Sequence, residues 1–331
     1  MANAKKKIIV IGSNSFSAGH LIKKLLQKKY KVVGISRSKL NDKHFLSFNH
    51  DDPNFVFFKA DLNKNYQKIF HIIVNTKPNY IINFSAQSMV GESWDNPVDW
   101  YQTNTLSTIR LYNFIFNYKK IKKLIHISTP EIYGSIKNKA KETKIYHPNS
   151  PYAASRVAAD QYLETLYNNF NFNYCSVRAS NVFGENQRIY RIIPKAIYCI
   201  LKKKKLPLDG GGSSKRNFIH MENVSDAIYK IMNAGKAGHI YHVSGKQIIS
   251  IEELIKKICK IMKYNFNALV KNSNERKGKD KFYYLSSEKI KKELKWEEKV
   301  NLDEGLIRTI SWVKKNLSLF NKNDEKYIHK K

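Results

Sequence analysis

Short, nearly unbroken apolar runs alternate with longer amphipathic stretches through the first half of the chain. Lys7 to Gly12 (KIIVIG), Lys31 to Ser36 (KVVGIS), Asn54 to Asp61 (NFVFFKAD), Tyr80 to Ala86 (YIINFSA), Lys123 to Ser128 (KLIHIS) and Tyr174 to Val182 (YCSVRASNV) read as strands. Runs that are apolar at successive positions, rather than at every second one, belong to strands covered on both faces. Between them Ala18 to Lys29, Val98 to Tyr118 and Ala153 to Phe170 carry helical periodicity. The alternation predicts an α/β fold built on a Rossmann-type doubly wound parallel sheet. From Gly184 to Ser214 the pattern turns irregular and basic, and beyond Ile249 two helical segments, Ile251 to Met262 and Leu302 to Leu317, flank a polar stretch. The expected division is a main domain of residues 1–184 plus about 215–246, and a smaller C-terminal α/β lobe of 185–214 plus 247–331.

Composition narrows the class. The chain has 331 residues, of which 42% are hydrophobic, enough for a sizeable core. It lacks the uninterrupted apolar run of about 18 residues that a membrane span needs, and its opening MANAKKKIIVIG passes from a short basic stretch straight into a strand. A soluble, cytoplasmic protein is the expectation. Fifty-nine lysines and arginines against 27 acidic residues give a formal charge of +32, a field that attracts any polyanion, diphosphates included. The lysines are scattered, however, and only Lys202 to Lys205 form a run of four. They read as a solvated surface, with neither nucleic acid nor membrane as partner. Cys175, Cys199 and Cys259 are far apart and show no metal-ligand spacing, so reduced packing residues are expected and no metal.

Two regions carry chemistry. A strand ending at Gly12 and a helix starting a few residues later put the turn GSNSFSAGH at a helix N-terminus, where free N–H groups favour a diphosphate. The glycine positions read G-x-x-S-x-x-A. Gly12 makes the tight turn, while Ser15 and Ala18 are small enough for close approach, and Phe16 and Ser17 belong to the same turn. The second strand ends in Ser36-Arg37-Ser38, with no carboxylate to accept ribose hydroxyls and a guanidinium suited to a 2′-phosphate. NADP is therefore favoured, with NAD as the alternative, and Arg37 as a plain surface cation remains open. At the other end, Ser128-Thr129-Pro130-Glu131-Ile132-Tyr133-Gly134 follows the fifth strand, and Tyr152-Ala-Ala-Ser-Arg156 opens a helix after Pro148-Asn149-Ser150-Pro151. A tyrosine and a cation four residues apart share a helix face, and the cation favours the phenolate. Such a phenolate can take a proton from a sugar hydroxyl as hydride leaves for a nicotinamide.

Taken together, the strand-turn-helix glycine motif, Asp61-Leu62, the S-T-x-E-x-Y-G segment and S-P-Y-x-x-S-R resemble the extended short-chain dehydrogenase/reductases, in order from residue 7 to about 315. Asn83-Phe-Ser-Ala-Gln-Ser-Met-Val resembles the fourth-strand segment of GDP-mannose 4,6-dehydratases, and Ser287 to Trp296 is typical of the family's C-terminal lobe. The resemblance implies that Asp61 and Leu62 border the adenine, Ala86 the cofactor ribose region, and Tyr152 and Arg156 the cofactor as well as the reaction. It places Thr129 at the sugar O4, Gln87 and Ser88 beside the substrate, and Asn181 and Arg216 at the nucleotide diphosphate. Asp61 as a strand-terminal cap, Glu131 as a structural carboxylate, Asn181 as a turn residue and Arg216 as a surface cation remain open readings of the same residues.

Glu131 separates reaction classes. Epimerases of the family carry a small apolar residue there, whereas 4,6-dehydratases and decarboxylases carry Glu. The implied activity is a nucleotide-sugar 4,6-dehydratase: oxidation at C4, removal of the C5 proton by Glu131, loss of water from C6 and return of the hydride, giving a 4-keto-6-deoxy sugar. Two positions depart from the pattern. Pro130 stands where dTDP-glucose dehydratases have a proton-donating Asp, and Arg156 stands where the family has lysine. A 4-epimerase, 4-reductase or decarboxylase is the alternative within enzymes, and a weakly active cofactor-binding scaffold the alternative outside them. The resemblance also implies a homodimer formed by the helices near 98–118 and 153–170. Leu106, Ile109, Tyr112 and Phe116 fit a buried face there, as dimer contact or as core.

Overall fold

The computed structural model describes residues 6–135, 139–274 and 284–329. Its first half runs β1 (Lys7–Ile11), α1 (Phe16–Gln27), β2 (Lys31–Ser36), β3 (Phe55–Lys59), α2 (Tyr66–Thr76), β4 (Tyr80–Asn83), α3 (Pro97–Tyr101), α4 (Thr108–Tyr118), β5 (Lys123–Ile127), α5 (Pro151–Phe170) and β6 (Tyr174–Ala179). The rest is β7 (Asn181–Phe183), α6 (Ile192–Leu201), β8 (Leu206–Asp209), β9 (Lys215–His220), α7 (Met221–Ala234), β10 (His239–Val243), β11 (Ile248–Ser250), α8 (Ile251–Met262), α9 (Phe266–Leu269), β12 (Val270–Ser273), α10 (Glu288–Leu294) and α11 (Leu302–Lys315).

Seven strands form one parallel sheet in the order β10, β6, β5, β4, β1, β2, β3. The order reverses between β1 and β4, which opens a crevice at the strand C-termini. The continuous apolar runs have the cause inferred for them. In β1, Ile8 and Val10 pack with α1 and α7 on one face, while Ile9 and Ile11 pack with α2, α4 and α5 on the other.

Several elements differ from the sequence pattern. The run Tyr174 to Val182 is two strands: at Ser180, whose N–H bonds to the Val243 carbonyl at 2.9 Å, the chain leaves the main sheet. It continues as β7 in a second sheet ordered β11, β9, β7. That sheet also takes β9, whereas the following α7 and β10 join the main domain. Residues 185–214 are not irregular but carry α6 and β8. Helices α6, α8 and α11 enclose a separate core of the smaller lobe, while Ile290, Leu294 and Trp296 pack with α1 and α7.

The helix expected over 98–118 is interrupted at 102–107 by a wider π-helical turn. The extra residue shifts the phase of the apolar stripe. Leu111, Tyr112 and Ile115 enter the core, Leu106 is 56% exposed, and Ile109 and Phe116 are half-buried, so the face expected from three- and four-residue steps is split.

The two lobes are joined by a charged cluster. Glu185, just beyond β7, accepts from Arg308 of α11 (2.9 Å) and pairs with His220 at the end of β9 (2.9 Å); its backbone carbonyl lies 2.9 Å from the His20 ring of α1. Arg308 also reaches Glu222 at 2.7 Å. Among the described residues, no helix is long and apolar enough to cross a membrane.

Candidate active site

A cavity of about 970 Å³ lies in the crevice and extends between the lobes. Asn14, Ser15, Phe16 and Ser17 at the start of α1 line one end, with Arg37 and Ser38 just beyond β2. Ser15 is the α1 N-cap, its hydroxyl accepting from Ala18 N–H at 3.2 Å, so the first turn stays helical at the cavity wall. Asn14 fixes the turn against the loop after β2: its side chain donates to the Lys39 carbonyl at 2.8 Å, and its own carbonyl accepts from Asn41 at 2.8 Å. Gly12 lies beneath rather than on the wall. It has φ +79°, and a Cβ there would come within 2.7 Å of Ser85 N, so a side chain would push β1 and β4 apart. A helix N-terminus, a guanidinium and room at the upper end of the usual ligand-pocket range fit a dinucleotide.

The chemical groups are set by local turns. Thr129 follows β5 and begins a single 3-10 turn over Pro130–Tyr133. Pro130 occupies the first position of that turn, where its missing N–H costs nothing. It cannot donate a proton, but it helps to hold Glu131 at the wall. Helix α5 opens on Ser150, whose hydroxyl accepts from Ala153 N–H at 3.2 Å, followed by Pro151, which puts Tyr152 in the first turn. The Thr129 hydroxyl contacts the Glu131 carboxylate and also bonds to Tyr152. Thr129, Glu131, Tyr152 and Arg156 all line the same cavity, with Ala86 and Ser88.

Tyr152 is 7% exposed, and burial, then the neighbouring Glu131 carboxylate, raises its phenol above the ordinary value; Arg156 and the Thr129 hydrogen bond act in the other direction without prevailing. The expected lowering by the cation is thus outweighed. Burial is the main cause, and the guanidinium is engaged elsewhere. Arg156 is 2% exposed and donates to the Ile127 carbonyl of β5, with its other close neighbour His126 Nε2 at 3.4 Å. It sits on a buried polar network centred on Asp160, one turn further along α5. Asp160 accepts from Ser128 (2.5 Å) and Ser176 (3.2 Å), and pairs with Arg178 at 3.3 Å. His126 lies 3.5 Å from Asp160 and against the Tyr112 hydroxyl, which accepts from Asn83 at 3.0 Å. Full burial pushes His126 down to about 3, so it is a neutral ring.

The π turn serves this arrangement. It brings Asn104 within reach of both the Gln87 backbone (2.8 and 3.0 Å) and the Ser155 hydroxyl (3.0 Å), and Thr105 onto the Ser155 carbonyl (2.9 Å). The loop after β4 is thereby tied to the turn of α5 that carries Arg156.

Of the residues marked by sequence, Asn181 and Arg216 line the far end, delivered there by β7 and β9. Asp61, Leu62 and Gln87 are not on the wall. Asp61 closes a turn, its carboxylate accepting from Asn63 N–H at 2.7 Å because β3 already ends at Lys59; Leu62 packs in the core over α2; the Gln87 side chain is buried. Sequence reading missed Asn14, Tyr190, Arg191 and Lys195, which also line the cavity. The basic character of 185–214 was the signal for the last two, and α6, which aims them, was not visible in it.

A sequence model of the GDP-mannose 4,6-dehydratase family matches residues 9–309. A trifunctional UDP-glucose 4,6-dehydratase/UDP-4-keto-6-deoxy-D-glucose 3,5-epimerase/UDP-4-keto-L-rhamnose-reductase of Arabidopsis thaliana is 28% identical over 319 residues, 94% of this chain and 47% of that protein. The chain therefore spans about half the length of that relative. The mouse dTDP-D-glucose 4,6-dehydratase is 27% identical over 335 residues, covering 98% of this chain and 92% of its own. Among solved structures, the dTDP-glucose 4,6-dehydratase DesIV of Streptomyces venezuelae, with NAD bound, has a TM-score of 0.88 at 26% identity and covers 95% of this chain and 98% of its own.

Proposed function

The chain belongs to the GDP-mannose 4,6-dehydratase family, and from that premise we propose that it converts a nucleoside-diphosphate hexose to the 4-keto-6-deoxyhexose, with an NADP that is reduced and reoxidised within one turnover. The observation that carries this reading is the meeting of Tyr152, Thr129 and Glu131 on one cavity wall, with a dinucleotide-sized channel leading from them to the start of α1.

When bound, the dinucleotide supplies a hydride acceptor and, oxidised, a positive charge that favours the Tyr152 phenolate. Tyr152 takes the O4 proton, and Thr129 donates to the oxygen that carries negative charge. Thr129 has one proton to give and neighbouring anions repel, so Tyr152 and Glu131 serve different atoms: Tyr152 the O4 and Glu131 the C5–H made acidic by the new ketone. Pro130 cannot donate, so the proton gained by Glu131 goes to the departing C6 oxygen and water leaves; once the hydride is back at C6, C5 regains a proton through Glu131, and the balance closes as Tyr152 gives up the proton it took from O4. Arg216, Arg191 and Lys195 would hold the diphosphate, their positive charge opposite to its own, with Asn181 donating a neutral hydrogen bond.

Arg37 without a carboxylate at the end of β2 supports NADP over NAD, although related structures hold NAD. The outward row of Trp94, Val98, Tyr101 and Leu106, each between 41% and 77% exposed, supports a homodimer through α3, α4 and α5. Three free, buried cysteines suit a reducing cytoplasm. The reading is tested with Glu131→Gln, which should stop water loss while leaving C4 oxidation, seen as accumulation of reduced cofactor. Normal product from that variant would overturn it.

A further inference from the structure

Residues 321–329 lie outside both helical cores yet cross the mouth of the cavity. Three of their residues anchor them. Glu325 pairs with Lys204 beyond α6 on the small lobe. The Tyr327 ring packs edge-on against Tyr190 (centroids 5.6 Å, 73°), and its hydroxyl donates to Gln87 Oε1 at 3.3 Å. His329 reaches Asp99 at 2.7 Å and stacks over Trp100 of α3 on the main domain (5.0 Å, 24°). Asp324, Lys326, Tyr327 and Ile328 of this segment line the same cavity as Arg37 and Ser38.

The contacts span the two lobes. A chain segment fastened to the small lobe at one end and to α3 at the other cannot open unless a contact breaks. Gln87, absent from the cavity wall, acts from behind it by holding Tyr327 in place while its own backbone is clamped by Asn104. A half-buried aromatic in the same cavity as Arg37 and close enough to feel its charge is well placed to cover a nucleotide, since its ring offers an apolar face and its hydroxyl is already satisfied.

We propose that Tyr327 is a residue of the dinucleotide site, held across it by the His329–Asp99 and Tyr327–Gln87 contacts, and that this segment retains the cofactor between the two hydride transfers. This rests on the cofactor part of the reading above. The chemistry gives the segment its use, because a hydride taken from C4 must return to the same sugar at C6, and a cofactor that leaves midway strands the reaction. Slow release does not slow such a cycle, which needs no exchange of cofactor.

The test is the dissociation rate of NADPH and of NADH, followed by nicotinamide fluorescence in stopped flow, in the wild type, Tyr327→Ala and His329→Ala, with each variant's melting temperature recorded. The segment lies outside the cores, so the variants are expected to melt with the wild type. Both substitutions are expected to speed release on the order of tenfold, the loss of about 1.4 kcal/mol of bound-state contact. Tyr327→Phe should lie between, since it keeps the ring and loses only the bond to Gln87. Release from both alanine variants at the wild-type rate would overturn the proposal. No substrate turns over in this measurement, so a wild type that binds neither cofactor would instead sink the reading on which it rests.

Discussion

At Arg156 packing and catalysis make the same demand. A buried guanidinium needs a carbonyl and a counter-charge, and the Ile127 carbonyl and the Asp160 network supply them. A lysine is shorter and offers a point charge instead of a planar fork. Arg156→Lys should therefore lower turnover, on the order of tenfold if general acid–base assistance is weakened, and a gain in steady-state rate would contradict an arginine-adapted site. Asp160→Asn leaves Arg156 and Arg178 buried without their shared carboxylate, and should destabilise by about 3–5 kcal/mol in denaturant titration. At Tyr152 the phenol is raised above its ordinary value of 10 by burial and by Glu131, so the deprotonated base gains population only far into the alkaline range. Activity should rise through the alkaline range, and Tyr152→Phe should remove that limb and cost about a hundredfold or more. These residues were legible because local motifs carry them: S-P-Y-x-x-S-R is a capped helix start and S-T-P-E a strand end. Asp160, His126 and Arg178 were not, because a buried polar residue on an apolar strand or a helix face looks the same in sequence whether it meets a partner or solvent.

Elements were legible in proportion to their length and period. The strands of the main sheet announced themselves by unbroken apolar runs, and helix α8 by its strong amphipathic period. The three-residue strands β7 and β11 have too few positions to show any period, so the sheet they form with β9 could not be read. The π turn at 102–107 was equally silent, and its phase shift is what sends Leu106 outward. Leu106→Glu should accordingly leave the fold intact while shifting a dimer to monomer in sedimentation equilibrium. A second feature of the elements is their use of lysine where chains usually turn through glycine. Lys77, Lys263 and Lys295 end α2, α8 and α10 with φ of 48°, 53° and 50°, and all three are exposed. A side chain in the left-handed region is strained. Replacing each by glycine should raise stability on the order of 0.5–1 kcal/mol, read as a higher denaturation midpoint.

At the scale of the molecule, two lobes meet through titratable groups. His20 is buried against the Glu185 carbonyl and is held at about 4, and His126 at about 3, in both cases because burial disfavours the charged ring. The unfolded chain takes up these protons first, near the ordinary value of 6.5. Stability should therefore be fully present above pH 6.5 and fall as pH drops from there toward 4. His20→Gln, which keeps a donor for Glu185, should flatten the fall in melting temperature over that range. The two-lobed plan was visible in the sequence, but the way the chain passes between lobes at Ser180, and returns over the mouth at Tyr327, was not. A polar stretch such as NKNDEKYIH gives no sign that its tyrosine and histidine find partners more than two hundred residues away.

The central claim, that this cavity removes water from a nucleotide-linked hexose, is tested most directly by mass spectrometry of the purified protein incubated with NADP and, separately, GDP-, UDP-, dTDP- and CDP-hexoses. Loss of one water from the sugar of one of them, with no net consumption of cofactor, is the predicted result. Unchanged mass across all four, from a protein that binds the cofactor, would contradict it.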